Sequence, residues 1–170
     1  TNKNIWSFFD IIHGDRGQIG TKCRNYPGIE NLFFKAKDID KFIRVLEKVQ
    51  QMKNSGFLVH SSNYFLNLLS KNPELIIDCN WNCAKEDNFP AWVTVDVDGI
   101  VYPCDDFQPP YPKGKEIYVW ELYDKWNEFS NYWKQIVIDT CPGCLWNTHI
   151  DAHAIKRGEL PFTDYVHAKE

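Results

Sequence analysis

The chain of 170 residues has a single methionine, Met52, and begins at Thr1. No apolar run in it approaches the roughly 18 residues that a membrane-spanning helix needs, and no charged leader precedes an apolar stretch near the start. A membrane partner is therefore not expected, and cytoplasmic residence is. Positive charge is short as well. Nineteen Lys and Arg face 23 Asp and Glu, a net charge of -4, and the cations are scattered rather than gathered in a stripe. That distribution argues against nucleic acid and against an anionic membrane surface as partners. Internal repeats and low-complexity tracts are also lacking. With no initiator methionine and an apolar run starting almost at once, the chain is expected to be part of something longer.

What is present is a 44% hydrophobic content, 15% aromatic, with seven Trp. This is enough for the core of one domain or two small ones. Residues 4–12, rich in Ile, Phe and Trp, read as a buried strand, and the stretch "HGDRGQIGTKCRNYPG" after them as a loop. From a cap at Asp38, the residues Phe42, Val45, Leu46, Val49 and Met52 recur at helical spacing until Gly56. Residues 57–62 read as a second strand and 63–70 as a helix.

Strand, helix, strand, helix is the rhythm of an α/β layer with parallel strands, but two strands cannot bury both faces alone. After Pro73 the character changes to cysteines, tryptophans and a hairpin, so a boundary is placed near residue 71. Val93, Val95 and Val97 alternate with polar residues, Asp98-Gly99 reads as a two-residue hairpin turn, and Ile100–Tyr102 returns. Residues 120–138 look mainly helical, with Trp126, Phe129, Trp133 and Ile136 on one side.

Six cysteines stand at positions 23, 79, 83, 104, 141 and 144. Disulfides would suit a secreted chain, but no secretory signal is visible, and Cys141-x2-Cys144 has the spacing of metal or redox ligands. A thioredoxin-like use of that pair leaves Cys83 and Cys104 unexplained. A metal reading uses four thiolates together, in a zinc site or an iron-sulfur cluster, and spacing alone does not choose. His149 and His153, one helical turn apart, would share a face of a helix and read best as part of a surface helix, since no third protein ligand lies nearby.

Cys83-x15-Gly99-x4-Cys104, a gap, then Cys141-x2-Cys144 resembles the auxiliary-cluster signature of the radical S-adenosylmethionine superfamily, in the short form called the twitch domain. The larger SPASM form adds cysteines for a second cluster, and none follow Cys144 here. The resemblance implies one auxiliary 4Fe-4S cluster on Cys83, Cys104, Cys141 and Cys144, with Gly99 turning the hairpin that aims Cys104. It also implies that "KFIRVLEKVQQMKNSGFLVHSSNYFLNLL" is the end of that superfamily's partial βα barrel. The expected architecture is then α/β over residues 1–70, the last βα units of a barrel, followed over 71–170 by a small α+β cluster domain with a β-hairpin.

The superfamily's defining C-x3-C-x2-C element is absent: Cys79-x3-Cys83 begins the spacing, but Glu86 stands where the third cysteine would. S-adenosylmethionine and a second 4Fe-4S cluster are therefore expected from an N-terminal half or a partner chain. A peptide or small molecule would be the substrate, and flavodoxin or ferredoxin the reductant. If residues 1–70 are barrel units, His13, Asp15 and Arg16 after the first strand, with His60 and Ser61 ending the second, are the candidates to meet substrate or S-adenosylmethionine. Asp105 and Asp106 are expected to cap a turn, Cys23 to be a bystander, and Cys79 to lie near the cluster unligated. The rival reading is a non-catalytic zinc or iron-sulfur interaction module.

Overall fold

The computed structural model describes residues 34–78, 81–87, 90–104, 108–141 and 143–162. The strand expected over residues 4–12, the glycine-rich loop after it, and the cap expected at Asp105 and Asp106 lie outside them. The described residues form helices and one two-stranded antiparallel sheet, a mixed α+β architecture. Among them, no helix is long and apolar enough to cross a membrane.

They divide into two compact units, residues 34–78 with 145–162 and residues 81–144. The chain thus changes unit near 80–81 and again near 144–145, where the sequence suggested one boundary near residue 71. Its last described helix returns to the first unit because its apolar residues, Ile150 and Ala154 among them, are fully buried there.

In the first unit α1 spans Ile39–Asn54. Asp38 precedes it but makes no side-chain cap to the helix; its carboxylate accepts instead from the Lys35 N–H at 3.1 Å, closing the turn before. Phe42 and Leu46 are buried, whereas Val45 and Met52 are 46% and 45% exposed, so the buried stripe is narrower than the spacing suggested. Lys53 near the end of α1 donates to the carbonyls of Val59 (2.9 Å) and Ser61 (2.7 Å). Those acceptors of the 57–62 segment are thereby taken by an ammonium, and the segment carries a lone bridge residue, Val59, with no ladder among the described residues.

The helix α2, Asn63–Lys71, starts at Ser62, whose Oγ accepts from the Phe65 N–H at 2.9 Å. It buries Phe65, Leu66 and Leu69 and packs against both α1 and α6, Asn147–Lys156. Between α2 and α6 runs a short α3, Leu75–Asp78, and then the whole second unit.

The second unit opens with α4, the single turn Cys83–Glu86. Strands β1 (Thr94–Val95) and β2 (Val101–Tyr102) pair antiparallel, Val95 opposite Val101. That register puts Asp96 opposite Ile100 and leaves a loop of Val97, Asp98 and Gly99, one residue longer than the Asp98-Gly99 turn expected from sequence. The cause is Asp96, whose carboxylate accepts from the N–H groups of Asp98 and Ile100, both at 2.9 Å. Gly99, at φ +84°, supplies the left-handed residue that a three-residue hairpin loop needs. On its far side, the 99–101 segment bonds to residues 117–119. The helix α5, Trp126–Thr140, then buries Phe129, Trp133 and Val137 on one face and packs against α4.

Candidate metal centre

The four cysteines singled out by spacing all lie in the second unit, and none is half of a disulfide. Cys83 is the first residue of α4. Asn82 before it caps that helix, its Oδ1 accepting from the Ala84 N–H at 3.0 Å. Cys104 follows two residues after β2. Cys141 is the C-cap of α5, where the helix gives way to extended backbone at φ -75°, ψ 129°.

Beyond it Gly143 takes φ +87° and donates its N–H to Cys141 Sγ at 3.4 Å. An N–H aimed at a sulfur favours the thiolate over the thiol. Cys144 is fixed by its own N–H, which donates to the Trp81 carbonyl at 2.9 Å. That bond brings the second cysteine of the pair beside the strand of chain leading into Cys83.

Cys83, Cys104 and Cys141 converge on one apolar cluster whose buried members are Ala84, Trp133 and Val137. Burial pushes the Cys83 thiol up to about 12, and negative charge on Cys141 and Cys104 would add to the rise. Burial raises Cys141 too, against the pull of the Gly143 N–H. Thiols gathered where water is excluded stay protonated unless a cation replaces their protons, which is the chemistry of a metal or iron-sulfur ligand set. Soft sulfur donors, a desolvating shell and an N–H directed at one sulfur all fit such a group. Among the described residues no group of three or more Cys, His, Asp or Glu side chains is placed to hold a metal ion, so ligation requires the thiols to draw together from this arrangement.

Two residues of this site were not anticipated from sequence. Trp133 was read only as one residue of a helix face, and Asn82 was not singled out. An Asn directly before "CAKE" is a cap signal, but nothing local says that its amide also reaches α5.

The remaining candidates fall elsewhere. His13, Asp15, Arg16, Cys23 and Cys79 lie outside the described residues. His60 is half-buried in the first unit. Ser61 is fully buried, and its Oγ accepts from Asn147 Nδ2 at 3.2 Å, so in this structure it faces α6. His149 and His153 are not on a surface helix: they are 9% and 4% exposed. The helix that carries them is packed on α2, and most of its turns are covered. Comparison with family models, with curated proteins and with solved structures finds no match to the chain.

Proposed function

We propose that this chain is the C-terminal portion of a radical S-adenosylmethionine enzyme, in which Cys83, Cys104, Cys141 and Cys144 hold an auxiliary 4Fe-4S cluster. The observation that carries this reading is the convergence of Cys83, Cys104 and Cys141 on the Trp133 cluster, with Cys144 tied to Trp81 beside them. When bound, the group supplies one-electron transfer, and four protein thiolates leave no iron open to a substrate. Trp133 and Val137 exclude water from the sulfurs, which sets the dielectric around them. The Gly143 N–H stabilises charge on Cys141, and Gly99 holds the hairpin that delivers Cys104.

The initiating S-adenosylmethionine cluster belongs on this reading to an N-terminal half or partner chain. Flavodoxin or ferredoxin is the reductant, and a peptide or small molecule is modified. Residues 1–70 are assigned to the last βα units of the barrel, with His13, Asp15, Arg16 and His60 nearest to substrate or S-adenosylmethionine, while Ser61 is buried against Asn147.

Anaerobic reconstitution with iron and sulfide tests it. About four iron and four sulfide per chain are expected. Alanine at position 83, 104, 141 or 144 should each remove or open the cluster, while Cys23→Ala and Cys79→Ala should leave it intact. A chain that takes up zinc but no sulfide would instead be a structural metal module. Loss of the cluster in Cys79→Ala but not in Cys83→Ala would move the ligand assignment by four residues.

A further inference from the structure

We infer that Asn82 is the positioning residue of the thiolate centre, the group that sets Cys83 against Cys141; this rests on the reading that these thiols ligate a common iron-sulfur group. Asn82 is 7% exposed, and each end of its amide is used. Oδ1 accepts from the Ala84 N–H at 3.0 Å. Nδ2 donates to the carbonyl of Val137 at 3.2 Å and to that of Cys141 at 3.4 Å. The orientation is unambiguous, because turning the amide over would set its oxygen against two carbonyls and its nitrogen against an N–H.

The anchor is needed because α4 is only four residues long. A single helical turn does not hold itself, so the direction of Cys83 depends on what grips the turn from outside. At the end of α5 the Val137 carbonyl accepts from the Cys141 N–H at 3.1 Å, and Asn82 Nδ2 adds a second donor to it and one to the Cys141 carbonyl just past the helix. The backbone adds a second tether, from the Cys144 N–H to the Trp81 carbonyl at 2.9 Å. Residue 81 is thus tied to one member of the cysteine pair and residue 82 to the other, and Cys83 is the next residue along. Trp81 enters this arrangement through its carbonyl, and Asn82 through its side chain.

The amide has two separable functions, and substitution separates them. Asn82→Asp keeps an oxygen to cap α4 but has no donor for Val137 and Cys141. Asn82→Ala loses both. The chain is reconstituted anaerobically with iron and sulfide, and the half-life of the bound cluster against a chelator is measured beside the melting temperature of the metal-free chain. A control, Phe129→Leu, weakens the same unit from a separate apolar cluster formed with Val101 and Ile117.

Both Asn82 variants should lose the cluster about tenfold faster than wild type or more. In Asn82→Asp this should exceed the loss seen in the control at a matched drop in melting temperature. A wild-type cluster lifetime in Asn82→Asp overturns the inference, as does a loss no greater than that of the matched control. A wild-type chain that takes up neither iron nor sulfide overturns the underlying reading and this inference with it.

Discussion

The ring of Trp120 lies over Gly99 so closely that a Cβ added to the glycine would stand 2.5 Å from it. The ring is held there by stacking on Tyr118, with centroids 4.9 Å apart. Gly99 is therefore constrained twice, by this contact and by its φ of +84°.

The two constraints can be told apart. Gly99→Ala should cost about 1–2 kcal/mol from the left-handed backbone alone, and more from the ring contact, as read by denaturant unfolding. It should also lower iron loading, because Cys104 lies at the end of the strand that this loop launches. Adding Trp120→Ala should recover the contact part only. Complete recovery would assign the whole effect to the ring, and unchanged iron loading in Gly99→Ala would remove the hairpin from the site.

Thiol chemistry gives a second prediction. With Cys83 held up to about 12 by burial foremost, it should be the slowest of the four cysteines to alkylate at pH 8 in the metal-free chain. Peptide mass spectrometry over a time course with iodoacetamide reads this directly. The sign for stability follows. The unfolded thiol ionises near 8.5 and the folded one only near 12, so its contribution is whole below the first value and lost as pH rises through the second. Fast alkylation of Cys83 would contradict the burial that the site depends on.

Trp133 should report on loading. It is 1% exposed and packs in the cluster that Cys83, Cys104 and Cys141 touch, so uptake of iron and sulfide should quench its emission. The total quench on reconstitution should shrink in Trp133→Phe, whose chain should still load. An unchanged quench in that variant would mean that the iron binds away from Trp133.

In the first unit, Asp151 is expected to make stability depend on pH. It is fully buried, Oδ1 accepts from Ser62 Oγ at 2.5 Å, and Oδ2 has no hydrogen-bond partner among the described residues. Burial raises its carboxyl to about 6, against the pull of Ser62 and the Lys53 ammonium. A raised folded value means that the contribution is present below about pH 4 and lost as pH rises through about 6. Asp151→Asn should flatten melting temperature against pH between 4 and 8, by an amount of order 1–3 kcal/mol. A variant with the wild-type pH profile would place the titration elsewhere.

Much of the local structure was legible in the sequence. The apolar spacing from Phe42 to Met52 corresponds to α1, the helix read over 63–70 to α2, and the valine alternation around Gly99 to a hairpin. These features depend on residues a few positions apart, and short-range periodicity and capping follow from backbone geometry alone. Spacing also singled out Cys83, Cys104 and Cys141, and all three pack against the cluster around Trp133.

What spacing could not supply were the choices between distant partners. Asp98-Gly99 promised a two-residue turn, and the carboxylate of Asp96 made it three by capturing two N–H groups. His149 and His153 sit at the spacing of either an exposed or a covered face, and only the packing of α6 on α2 buried them. Asn82 reads locally as a cap, while its reach to Val137 and Cys141 crosses more than fifty positions of sequence. The sequence by itself determined where α1, α2 and the hairpin lie, because those preferences are set within one or two helical turns. The tertiary structure alone decided which polar groups would be buried together, because that depends on which desolvated donor finds which orphan acceptor once the chain has closed.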